Sequence, residues 1–155
     1  MKLALSIAAI ALMSAATANT ANAFSFSPKS THFAAKGSLM LTAAGTTVSC
    51  KADLTGATTA TGKASIAGAT FTGTSVVCSL ITPTGLPWAM SATSATKAVI
   101  DNVAVSGGGS SCGPTNVPIT VTSTGKFRFN HITLSGGCMV NGSLQTAPVI
   151  KITNP

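Results

Sequence analysis

The chain has 155 residues, a net charge of +7 and only 7% charged side chains, with no tyrosine. That length fits one domain able to bury a core of its own. The cations are spread along the sequence and are not interleaved with stacking aromatics, which argues against a nucleic-acid groove; a net positive charge predicts instead a weak, screened attraction to an anionic cell envelope or polysaccharide.

The N-terminus carries Lys2, an uncharged apolar run from Leu3 to Met13, and small residues ending in Ala21-Asn22-Ala23. This order predicts a secretory signal peptide over 1–23, cleaved at an A-x-A site. The run falls short of the roughly 20 residues that span a bilayer, so no transmembrane segment is expected in the mature chain, 24–155, read as a single domain. No cysteine stands at Phe24 to accept a lipid. The expected localisation is secreted, extracellular or at the cell surface, with the periplasm as the alternative.

From Phe24 onward Ser, Thr, Ala, Gly and Val dominate and glutamate is absent. Long helix formers are scarce and β-branched residues and turn formers abundant, so strands are expected. Phe24-Ser25-Phe26-Ser27 already alternates. Val48, Cys50, Ala52 and Leu54 then face one way and Ser49, Lys51, Asp53 and Thr55 the other, the period of a half-buried strand. The stretch Lys51 to Ile66 reads as two strands meeting around Gly56 to Gly62. Val117, Ile119 and Val121 alternate with Pro118, Thr120 and Thr122; Pro118 suggests an edge strand or a strand start, because it cannot donate to a ladder. Phe127 and Phe129 alternate with Lys126, Arg128 and Asn130, Cys138 and Val140 continue the pattern, and Ile150 with Ile152 closes it.

Turn signals are read at Gly45, Gly56, Gly62, Gly68, Gly85, Gly107 to Gly109, Gly113-Pro114, Gly125, Gly136-Gly137 and Asn141-Gly142, with another turn at Asp101-Asn102. Short strands at this spacing predict an all-β fold, an antiparallel β-sandwich or barrel. Cys50, Cys78, Cys112 and Cys138 have no C-x-x-C spacing, which argues against a zinc site or a thioredoxin-like centre. In an oxidising compartment they read as two disulfides. Three connectivities exist; Cys50 with Cys78 and Cys112 with Cys138 is favoured, since neighbours in sequence are often neighbours in a sheet.

The chemistry-bearing motifs are sparse. Gly109-Ser110-Ser111-Cys112-Gly113 matches the nucleophile-elbow string, but that elbow needs a strand turning into a helix, and here Ser111 precedes a disulfide cysteine and a Gly-Pro pair. His32 and His131 each stand alone. Asp53 and Asp101 are the only acids available to a paired-carboxylate mechanism, and both read as solvated surface groups. No catalytic residue, metal site or cofactor is expected. Trp88, in Leu86-Pro87-Trp88, reads as a core plug, with an apolar ligand contact as the alternative. Asn141-Gly142-Ser143 fits a glycosylation sequon, and the turn reading is preferred.

Cys50 in a strand, Gly68-Ala69-Thr70-Phe71-Thr72-Gly73, Leu86-Pro87-Trp88, Cys112-Gly113-Pro114-Thr115-Asn116 and the run from Gly137 to Leu144 together resemble the PraB-type alkane oxidation activator family of exported bacterial proteins. The resemblance covers nearly the whole mature chain. It implies a secreted accessory factor that promotes growth on n-alkanes by aiding dispersal or uptake of hydrocarbon, without itself oxidising it, and it supplies no catalytic residues to carry over.

Two functions are therefore expected to compete. One is a non-enzymatic accessory protein acting between the cell-envelope surface and hydrocarbon. The other is a structural subunit of an extracellular fibre or biofilm matrix, self-assembling by strand addition through its alternating N-terminal segment.

Overall fold

The computed structural model describes residues 23–154, so all but the last residue of the expected signal peptide lies outside the described part. The described elements are β1 (Ser25–Ser27), β2 (His32–Ala43), β3 (Thr46–Thr58), β4 (Ala64–Thr72), α1 (Val76–Leu80), β5 (Thr82–Thr84), β6 (Trp88–Ala92), β7 (Lys97–Gly107), β8 (Ser110–Val121), β9 (Lys126–Leu134), β10 (Cys138–Ala147) and β11 (Lys151–Thr153). Strands β2, β3, β4, β6, β7, β8, β9 and β10 form one antiparallel sheet, and pairing of β7 with β8 closes it. Of the two expected architectures, the protein adopts the barrel. Closure removes the exposed edges that would template pairing with other chains. The short β5 takes the place of β6 beside the later half of β7, at Ala104 to Ser106.

Alternation explains the wall. Cys50, Ala52 and Leu54 of β3 are buried while Ser49, Lys51 and Thr55 are exposed, so the strand shows one face to the core and one to water. An eight-stranded barrel is just wide enough for its interior side chains to fill it or to hold one small ligand. The end where β2 begins is packed solid: Phe33 meets Phe127 edge to face at 6.0 Å, among the fully buried Ile66, Met90, Val121 and Leu144.

Several residues read as turns lie inside strands. The hairpin joining β3 to β4 turns at Thr59–Lys63, where Gly62 has φ +79; Gly56 stays in β3 opposite Phe33. Gly68 is paired within β4, and Gly113-Pro114 lies within β8. Asp101-Asn102 falls in β7 at a break in register, where the Asn102 N–H donates to Asn116 Oδ1 at 3.0 Å. Asn141-Gly142 is not a hairpin turn: both residues lie inside β10 opposite a bulge in β9, where Asn130 and His131 face Asn141 alone and the His131 N–H donates to Asn141 Oδ1 at 3.2 Å. Gly142 has φ +141, and a Cβ there would lie 2.5 Å from the Ser38 carbonyl oxygen. Bulges and turns recruit the same residues because both need unusual backbone geometry. Pro118 sits within β8, on a strand whose β9 side makes ladder pairs only at Thr120 and Val121.

Between these pairs and the Cys112 end, β8 and β9 share no further ladder pairs. There the turn after β9 ties back to β8: the Gly113 N–H donates to the Ser135 carbonyl at 2.8 Å, and the Ser135 N–H donates to Thr115 Oγ1 at 2.9 Å.

The floor of the barrel is the small β1–β11 sheet. Phe26 and Ile150 are fully buried there, and the Phe26 N–H donates to the Gly62 carbonyl at 2.8 Å. Buried Thr146 locks the floor to the wall: its hydroxyl donates to the Gly125 carbonyl at 2.8 Å and accepts from the Ile150 N–H at 2.9 Å. Thr146→Val keeps the shape and leaves the Gly125 carbonyl its bond from the Thr146 N–H at 2.9 Å but strands the Ile150 N–H, so it is expected to lower the unfolding free energy by about 1–3 kcal/mol in urea titrations.

Candidate functional site

The end opposite the floor gathers the hairpin tips at Ala44-Gly45, Gly108-Gly109 and Gly136-Gly137, together with α1. Helix α1 has five residues, with the Ser75 hydroxyl accepting from the Val77 N–H at its start. A helix this short is not stable alone, and here the Cys50–Cys78 disulfide ties it to β3. Its C-terminal end rests on Gly107, where a Cβ would come 2.5 Å from the Leu80 carbonyl oxygen, so a side chain at that position would lift the helix away. The second disulfide, Cys112–Cys138, links the start of β8 to the start of β10. Sequence neighbours are therefore the ones joined.

Between these elements lies an open cavity of about 230 Å³, walled by Leu41, Val48, Val77, Val105, Leu134 and Met139 with Thr42, Thr46, Ser106 and Ser110 at its lip. Below it, inside the barrel, a smaller cavity of about 60 Å³ is lined wholly by apolar residues including Leu39, Leu54, Phe71, Trp88 and Phe129. Leu41, Ile81, Val105 and Leu134 wall both cavities. Trp88 is buried, and its indole N–H is satisfied by the Thr84 carbonyl at 2.9 Å, so it presents only its apolar ring to the cavity.

The outer surface of this end is apolar as well. Val76 is 75% exposed and Leu80 54%, with Val77 and Met139 beside the cavity. None of residues 41–49, 73–81, 103–117 or 132–141 is charged. The cations collect toward the floor: Lys29 precedes β2, Lys63 precedes β4, Lys97, Lys126 and Lys151 open β7, β9 and β11, and Arg128 follows on β9. Lys97 and Arg128 both pair across Thr120, one from each side. Six of the eight cations among the described residues thus lie toward the floor, while Lys36 and Lys51 sit partway along β2 and β3, Lys51 paired with Thr72 at the end of β4.

The other residues weighed from sequence lie apart. Ser111 is exposed in β8 opposite Ser106, followed by a disulfide cysteine and more strand rather than a helix. His32 opens β2, while His131 lies on β9 with its ring beside Asn130 Oδ1 at 3.1 Å. Asp53 is half-buried and paired with Lys36 at 3.0 Å, a surface contact of little energetic weight. Asp101 sits in β7. Among the described residues no group of three His, Cys, Asp or Glu side chains is placed to hold a metal, and no helix is long and apolar enough to cross a membrane.

The cavity pair escaped the sequence because its walls come from strands far apart in the chain. Most of the residues that line it are ordinary alternating strand residues, and Trp88, the single tryptophan, carries the one signal visible in the sequence.

No curated protein and no solved structure matches this chain. A family model described as alkane oxidation protein activator PraA/PraB-like matches residues 1–154, and the chain belongs to that family.

Proposed function

We propose that this protein is a secreted, non-enzymatic accessory factor that promotes use of n-alkanes by working at the boundary between hydrocarbon and the cell surface. The observation that carries this reading is the axial asymmetry: an uncharged, apolar cavity end opposite a cationic end. Exposed Val76 and Leu80 would enter a hydrocarbon phase at a gain of about 25 cal/mol per Å² of apolar surface removed from water. The cationic half would stay in water or lie against an anionic envelope. Two disulfides suit an oxidising compartment, and the family description as an activator fits a protein that assists oxidation carried out elsewhere.

The fibre or matrix alternative has less support. The strand it would donate, β1, is paired with β11 of its own chain, and its Phe26 is buried.

The test is adsorption of the purified mature protein to hexadecane droplets, together with growth of a deletion strain on hexadecane. The wild type should coat droplets as isolated particles in electron micrographs. The double substitution Val76→Asp and Leu80→Asp should reduce adsorption at least tenfold while leaving stability within about 0.5 kcal/mol, as exposed positions allow. Equal adsorption by both proteins, or unimpaired growth of the deletion strain, defeats the reading.

A further inference from the structure

We infer that the two cavities form a binding site for one unbranched, uncharged aliphatic chain, which enters end-on with a methyl terminus pointing toward Trp88. The inference rests on the hydrocarbon reading above and narrows it from a surface to a site and a ligand class.

Size sets the first limit. The outer cavity, about 230 Å³, exceeds the roughly 150 Å³ apolar cavity that stays dry and takes up benzene. The inner one, about 60 Å³, has room only for the slim end of a chain, so rings and branched carbons should stop at the shared wall of Leu41, Ile81, Val105 and Leu134.

Polarity sets the second. No side chain lining the inner cavity offers a free hydrogen-bonding group, since the Trp88 N–H is already taken. A polar end placed there would lose its water without replacement, at a cost of several kcal/mol. At the lip, Thr42, Thr46, Ser106 and Ser110 provide hydroxyls but no cation. A carboxylate would find no counter-charge, whereas an alcohol or a plain methyl end would be accommodated. The class selected is an alkane or primary alcohol rather than a fatty acid.

Ile81 acts as the gate. It ends α1, walls both cavities and is half-buried, so its side chain controls the passage between them.

Trp88 is the single tryptophan of the chain and reports directly on the inner cavity. The probe is an ω-bromoalkan-1-ol of about ten carbons, added below its solubility limit to the disulfide-bonded protein. Heavy-atom quenching of Trp88 fluorescence should saturate at one probe per chain. n-Decane and 1-decanol should displace the probe, and decanoate should do so at least tenfold less well. Ile81→Phe, which fills the gate, should weaken quenching at least tenfold; Val105→Phe serves the same purpose if the first variant does not fold. The Val76→Asp, Leu80→Asp protein should be quenched like the wild type.

Absence of saturable quenching, equal competition by decanoate, or full quenching in a folded gate-filled variant overturns the inference. Loss of quenching with droplet adsorption intact removes the site but leaves the interfacial reading standing. Loss of both in the wild type removes the two together.

Discussion

Reduction of both disulfides is expected to bring the barrel close to unfolding. Cys50–Cys78 and Cys112–Cys138 close loops of 28 and 26 residues, and in the chain-entropy account each restricts the unfolded chain by about 3.5 kcal/mol. Together that is about 7 kcal/mol, comparable with the roughly 5–15 kcal/mol total stability of a domain. A calorimetric scan with and without a phosphine reductant should show a fall in Tm of about 15–30 °C, taking about 2–4 °C per kcal/mol for a domain of this size. The single pair Cys50→Ala, Cys78→Ala should produce about half the fall and loosen α1 selectively, visible as faster amide exchange over Val76–Leu80. Indistinguishable melts under the two conditions would show that the barrel carries itself through packing alone.

Phe26→Ala is expected to cost about 3–5 kcal/mol, the range for emptying a fully buried phenylalanine site. Phe26 is the main side chain of the floor, packed with Ile150 beneath the Phe33–Phe127 pair, and little around it can move in to fill the space. The urea midpoint should fall with an unchanged slope. A loss below about 1 kcal/mol would mean that β1 is only loosely seated. In that case the strand would be free to leave its own barrel, and the fibre alternative would regain its footing.

What the sequence revealed divides by the range of the interaction. Alternation at Val48–Thr55, Val117–Val121 and Lys126–Asn130 is a local consequence of strand geometry, and these segments lie in β3, β8 and β9 with the expected faces inward. The disulfides join the cysteines nearest in sequence, although neither lies between neighbouring strands, since Cys78 is in α1 and β9 separates β8 from β10. Glycine and asparagine pass for turns at Gly113 and Asp101-Asn102 because a bulge asks the backbone for the same freedom as a turn and differs only in what the chain does next; at Gly56 and Gly142 the glycine instead lets a carbonyl of the neighbouring strand, Ser65 or Ser38, come close. Closure of β7 onto β8 was invisible, since it depends on twist accumulated around the whole sheet. The cavities depend on that closure. The gathering of cations toward the floor was likewise hidden: alternate strands of an antiparallel sheet bring every second strand boundary to the same end, so Lys63, Lys97 and Lys126, far apart in sequence, come to the same end of the barrel.

The sparse ladder between β8 and β9 gives the barrel a seam, and Cys112–Cys138 crosses above it from β8 to β10 as a hoop crosses the staves of a cask. Staves held at the rim by a hoop cannot spread sideways there, whatever pressure a guest exerts from within. A guest of the proposed kind would therefore be accommodated by the rim piece not built into the wall, the short helix tethered by Cys78.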